Sequence, residues 1–168
     1  MVFLHINLAE KNAKLFNKYV ESGKQIFVIF YMEGCGPCNA TRPEWKKMEN
    51  VLKKYKTDEN VVIADVDQIF LKEIKYLTPI SGFPTIRYIS NKGKFSEDYE
   101  NCVSVKNKDR TIDSFVEWVN SKVKSKPKTN KFNKTTNKSN KYNKTNKYNK
   151  TNKHNKTNKP RNKTNRYR

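Results

Sequence analysis

Two cysteines three positions apart carry the most specific chemistry in this sequence. Gly34-Cys35-Gly36-Pro37-Cys38 follows a continuous apolar run at residues 26–31 and precedes a segment in which Trp45, Met48, Leu52 and Tyr55 recur at helical spacing. A dithiol at the start of a helix sits among N–H groups with no intrahelical partner and at the positive end of the helix dipole, and both stabilise a thiolate. Only the thiolate attacks a disulfide, which makes Cys35 the expected nucleophile. Cys38, inside the first turn, is expected to be less exposed and to resolve the mixed disulfide. Pro37 suits a first-turn position because the N–H it lacks would have no partner there.

A C-x-x-C pair can also be half of a zinc site. The other soft ligands are Cys102, His5 and His154, scattered singly, so the sequence offers no second half. The reading is therefore redox, with no metal and no cofactor implied. Cys102 is expected to be a structural thiol in or after an edge strand, and His5 a structural histidine on a strand. Three cysteines do not make a secreted disulfide framework. The first residues, Met1-Val-Phe-Leu-His-Ile-Asn-Leu, have no basic region before an apolar stretch, and His5 and Asn7 interrupt the apolar residues. No signal peptide is expected, nor any segment near the roughly 20 apolar residues that span a bilayer. A cytoplasmic chain is expected, or a virion one if the gene is viral.

The elements that must position the dithiol alternate between strand and helix. Residues 2–6 form a short apolar strand. Asn7 with Glu10 reads as a capping box opening a helix whose Leu8, Leu15, Phe16, Tyr19 and Val20 share one face, with Gly23 as its stop. The run at 26–31 and the run at 61–64 read as strands covered on both faces. Asp67 caps a short helix bearing Ile69, Phe70, Ile74 and Leu77. Residues 85–90 and 95–99 flank Asn91-Lys-Gly93, a hairpin turn. Ile112, Phe115, Val116, Val119 and Val123 mark a last amphipathic helix, with Thr111 at its start and Asp113 in its first turn. Right-handed crossovers make the first strands a parallel core, and the hairpin adds an antiparallel edge. The expected class is α/β, a central mixed sheet flanked by helices.

With these elements in order, residues 1–124 resemble the thioredoxin and protein disulfide isomerase family. Cys35-Gly-Pro-Cys38 matches the thioredoxin active site, Pro43 lies where family members kink the following helix, and Ile80-Ser-Gly82-Phe83-Pro84-Thr85 is similar to the family's segment with a cis proline before a strand. The resemblance implies a thioredoxin-like fold and a protein-disulfide oxidoreductase. It places Gly34, Gly36, Pro37, Phe83 and Pro84 at the substrate groove, with the Phe83–Pro84 bond cis and the residue before the proline offering backbone hydrogen bonds to a client chain. The implied partners are protein disulfides and a separate electron donor or acceptor. A Gly-Pro pair between the cysteines resembles reductants more than isomerases. Three positions depart from the pattern. Gly34 replaces the usual tryptophan, Ile29 the usual buried acid, and Asp65 the usual lysine of the next strand. An apolar residue accepts no proton, so Asp65 or water becomes the candidate proton acceptor for Cys38. The other reading of Asp65 is a solvated or capping role.

The charge is unevenly spread. The chain of 168 residues carries a formal net charge of +20, but residues 1–125 hold 20 basic against 16 acidic groups, a net of +4. The remaining +16 lies in Lys-, Asn- and Thr-rich repeats from Lys126 onward, such as Lys141-Tyr-Asn-Lys-Thr-Asn and Lys147-Tyr-Asn-Lys-Thr-Asn. Almost nothing there is apolar, so residues 125–168 are expected to be a disordered basic tail beside a domain at 1–124. Lysines with occasional rings leave two readings of residues 126–168: weak, sequence-independent binding of nucleic acid or another polyanion, or a solvated low-complexity run with no selected function. Six Asn-Lys-Ser/Thr triplets in the tail follow from its composition. A second functional class stays open: a non-catalytic binding module anchored by this tail. The intact pair of thiols favours the enzyme, and the absent tryptophan and buried acid favour the module.

Overall fold

Strand β2 (Gln25–Tyr31) is buried along its whole length, and the sheet is built around it. In the computed structural model, which describes residues 1–53 and 58–124, β2 lies between β3 (Val61–Asp67) and β4 (Thr85–Ser90). Strand β1 (Val2–Ile6) pairs with β3, and β5 (Phe95–Asp98) pairs with β4, giving the order β1-β3-β2-β4-β5. The β1–β3 and β2–β3 pairs are parallel, and the β2–β4 and β4–β5 pairs antiparallel. This is the mixed α/β sheet expected from the alternation of elements. Val61–Asp67 is as fully buried as β2, which is why the stretches at 26–31 and 61–64 read as unbroken apolar runs rather than alternating ones, although Asp65 and Asp67 extend β3 beyond its apolar part.

Helix α1 (Ala13–Glu21) covers one face of the sheet, while α2 (Gly36–Leu52) and α3 (Ile112–Lys124) cover the other. On the α2–α3 face, Phe27, Ile29, Ile63 and Ile86 pack against Trp45, Met48, Phe115 and Trp118. Aromatic edges lock this side: Phe27 meets Trp118 at 5.0 Å and Trp45 meets Phe115 at 5.1 Å between ring centroids, geometries worth about 0.5–1.5 kcal/mol each beyond burial. On the α1 face, Phe16 and Val20 pack against Ile26, Val28, Phe30 and Val66.

Two expectations need correction. Asn7 does not open α1. Its Oδ1 accepts from the backbone N–H of Ala9 and Glu10, closing a turn, and an antiparallel bridge from Ile6 to Lys11 holds the chain there. The helix begins at Ala13, and Leu8 is left 72% exposed rather than sharing the buried face. The short helix after Asp67 is a 3-10 helix (Gln68–Glu73), capped by Asp67 as expected, but it ends before Ile74 and Leu77, and Ile69 points outward. The hairpin turn matches the reading: Asn91, Lys92 and Gly93 all have positive φ, which Asn and Gly adopt most easily. Tyr55 and the repeats at 125–168 lie outside the described residues.

Candidate active site

Where β2 ends, the chain crosses from the sheet into α2 in four residues, Met32-Glu-Gly-Cys35. Cys35 is the N-cap of the helix in extended backbone (φ −79°, ψ 118°). Its Sγ accepts the Cys38 backbone N–H at 3.2 Å, a bond that ordinarily goes to a serine or aspartate oxygen at this position. An N–H donated to sulfur favours the thiolate, as does the helix end. Cys35 and Cys38 are joined as a disulfide, with Cα atoms 5.2 Å apart. Cys35 retains 8% of its surface and Cys38 none, the asymmetry expected from their places in the first turn. Pro37 stands in that first turn, and Pro43 lies inside the helix; Thr41 Oγ1 donates to the Pro37 carbonyl at 2.9 Å.

The segment before β4 closes the site from the other side. The Phe83–Pro84 bond is cis, and the Phe83 carbonyl oxygen lies 3.6 Å from Cys35 Sγ. The Phe83 side chain is half-buried against Tyr31, Cys35 and Cys38. Two shallow grooves of about 350 and 410 Å³ run along residues that adjoin the dithiol, without either cysteine in their linings. Ser81, Gly82, Phe83 and Pro84 line one, and Pro37, Ala40 and Thr41 the other, with Arg110 reaching both. The structure thus brings together Cys35, Cys38, Pro37, Phe83 and Pro84. Gly34 adjoins them with φ +76°; a Cβ there would meet no atom within 4 Å, so space is not what excludes a side chain. The left-handed backbone is, since it penalises any L-residue bearing a Cβ.

Nothing in the sequence marks Tyr31 or Arg42 as neighbours of the dithiol. Tyr31 ends β2 directly beneath the dithiol, and the Arg42 guanidinium lies 3.6 Å above its ring while pairing with Glu33 at 2.8 Å. Burial pushes the Tyr31 hydroxyl up to about 12 against the opposing pull of Arg42, so it is a neutral donor at physiological pH and no base. The only sequence signal was an aromatic residue at a strand end with an arginine eleven positions on, which is too general to mark a site.

Asp65 is neither solvated nor a cap. It is buried in the middle of β3, opposite His5 on β1 and Ile29 on β2, and its Oδ2 is hydrogen-bonded to His5 Nδ1. Tyr31 feels its charge. Cys102 is buried among Tyr99, Phe115 and Trp118 with its Sγ 2.9 Å from Ser104 Oγ, in a different cluster from the dithiol. Among the described residues no three His, Cys, Asp or Glu side chains are grouped to hold a metal ion, and no helix is long and apolar enough to cross a membrane.

Residues 7–121 match the thioredoxin family model. The chain is 33% identical over 103 residues to protein disulfide isomerase-like 2-2 of Oryza sativa subsp. japonica, a match covering 61% of this chain and 25% of that one. It is 32% identical over 108 residues to probable protein disulfide-isomerase A6 of Medicago sativa, covering 64% and 27%. The chain thus spans about a quarter of the length of these relatives. Among solved structures, human ERp44 form II superposes with a TM-score of 0.54 at 17% identity, over 71% of this chain and 29% of that one. The J-Trx1 fragment of ERdj5 does so with a TM-score of 0.51 at 21% identity, over 73% and 52%. At such identities the two structures speak for the fold.

Proposed function

The chain belongs to the thioredoxin family, and from that premise we propose that it is a thiol–disulfide oxidoreductase acting on disulfides in other proteins. One observation carries the reading: Cys35 caps α2 with its own sulfur, taking the Cys38 N–H, while Cys38 lies sealed one turn in. In the reduced form the Cys35 thiolate attacks one sulfur of a client disulfide. A Cys35–client bond forms, the client S–S bond breaks, and the other client sulfur leaves as a thiolate. Cys38, once deprotonated, attacks Cys35 Sγ and releases the second client thiolate. Two electrons have then passed to the client, and the chain holds the Cys35–Cys38 disulfide, which an external dithiol must reduce again. Gly34, Gly36, Pro37, Phe83 and Pro84 form the walls against which the client chain lies, the backbone at Phe83 pairing with it.

The proton on Cys38 must leave before the second step. Ile29 cannot take it. Asp65, on the neighbouring strand and oriented by His5, is the carboxylate we assign to accept it through water. The Gly-Pro pair argues for the reducing direction. The basic segment 126–168 supports a second, separable activity, weak electrostatic binding of nucleic acid or another polyanion.

The deciding experiment is insulin reduction with dithiothreitol as donor. Cys35→Ser abolishes it, whereas Cys38→Ser accumulates a mixed disulfide with client. Iodoacetamide at neutral pH labels Cys35 first. First labelling of Cys38 would reverse the two roles, and no insulin reduction by the parent chain would favour the binding-module reading.

A further inference from the structure

The stretch from Ile74 to Pro84 has no helix or strand of its own, yet it delivers the Phe83 carbonyl to within 3.6 Å of Cys35 Sγ. A segment without regular structure must have its backbone groups satisfied from outside, or it wanders. Its front end is held by Asn17 of α1, whose amide donates to the Glu73 carbonyl and accepts from the Lys75 N–H, both at 2.8 Å. Its centre is held by Arg87. This arginine lies on β4, 4% exposed, on the sheet face that α1 covers. Its Nη1 donates to the Thr78 carbonyl at 2.8 Å and its Nη2 to the Pro79 carbonyl at 3.2 Å. The same guanidinium is fixed from the other side by Asp98 on β5, through Nε at 2.5 Å and Nη2 at 3.3 Å.

The geometry points to Arg87 as a positioning residue for client binding: it clamps residues 78–79 to the sheet and so presents the backbone at 82–83 preformed to the incoming chain. The planar fork is what this takes, since one side chain serves two consecutive carbonyls and a carboxylate together. A lysine carries the same charge but has no fixed fork, and it cannot hold all three in one plane. A docking edge that is ordered beforehand binds without the loss of freedom that a loose one incurs on each encounter. The penalty of loosening it therefore falls on binding. The sulfur chemistry, which begins once the client is seated, is unchanged.

The inference rests on the proposed oxidoreductase reading, and two arms keep the two separable. Arg87→Met and Arg87→Lys are compared with the parent using a peptide disulfide as substrate. Loss of the clamp raises KM about tenfold in Arg87→Met and by less in Arg87→Lys, with kcat within about twofold of the parent in both. In the second arm, which needs no activity, backbone order parameters at Ser81, Gly82 and Phe83 fall from about 0.85 to below about 0.6 in Arg87→Met. Arg87→Lys carries both arms if the methionine variant does not fold. Unchanged KM in the folded variants, a loss confined to kcat, or unchanged order parameters at 81–83 would overturn the assignment. If the parent reduces no disulfide, the functional reading falls, and the order parameters still judge the clamp.

Discussion

Placing an acid where the family usually has one should damage this protein before it helps it. Ile29 is fully buried, packed among Phe27, Trp45, Met48 and Ile86, and stands in register with Asp65 on β3. Ile29→Asp removes most of a core side chain, a change of about 2–5 kcal/mol for comparable truncations. It also buries a carboxyl with no partner, about 1–3 kcal/mol more. A total near 5 kcal/mol approaches the whole stability of many domains, which is about 5–15 kcal/mol. The damage depends on pH in a definite sense. Burial and the facing Asp65 both disfavour the charged form, so the folded-state pKa of the new acid is raised above its unfolded value of about 3.9. The extra destabilisation is then absent below that unfolded value and grows as pH rises toward the folded one, at about 1.4 kcal/mol per unit. Urea unfolding followed by the fluorescence of Trp45 and Trp118, both buried, measures it at pH 4 and pH 7. Ile29→Asn, which cannot ionise, should lose similar stability at both values, and Ile29→Asp distinctly more at pH 7. If Ile29→Asp lost less than about 1 kcal/mol, with no difference between the two pH values, residue 29 would have to be in contact with water. The account of the missing acid as a sealed apolar contact would then be wrong.

Three further outcomes are expected. The Cys35–Cys38 couple should equilibrate with glutathione nearer the thioredoxin potential of about −270 mV than the isomerase value of about −180 mV, and a result above about −200 mV would count against a reductant. A hydrogen bond from Lys47, helped by one from the Ile112 backbone, holds Glu44 below its ordinary range, and those from Thr111 do the same for Asp109, so each has a folded value lower than its unfolded one. Their contribution is complete above the ordinary carboxyl range and is lost as pH falls from that range down through the lower folded values. The combined change Glu44→Gln, Asp109→Asn should therefore flatten the acid limb of a stability profile, and an unaltered limb would dismiss both groups. A chain ending at Lys124 should keep its fold and its insulin reduction. The full chain should bind nucleic acid with an affinity that falls steeply between about 50 and 200 mM salt, and equal mobility shifts from the two would remove the electrostatic account of residues 126–168.

The element order, the parallel core with its hairpin edge, and the places of Cys35 and Cys38 were legible in the sequence, because each rests on a local signal. Unbroken apolar runs mark strands covered on both faces, helical spacing marks a packed stripe, and a C-x-x-C after a strand has one natural seat at a helix start. Local signals also misled where a distant contact outweighed them. Asn7 and Glu10 have the spacing of a capping box, but the bridge from Ile6 to Lys11 commits that stretch to a turn and delays α1 to Ala13. The surroundings of the dithiol follow from contacts between residues far apart in the chain. Phe83 reaches Cys35 across 48 residues, His5 reaches Asp65 across 60, and Arg87 links Asp98 to two carbonyls of a segment with no periodicity of its own. Such contacts depend on strand order and register, which set the positions of residues far apart in the chain. A buried arginine or aspartate is tolerated only where those positions supply its partners. Hence Asp65, which reads as a solvated residue in the chain, is a buried one in the fold.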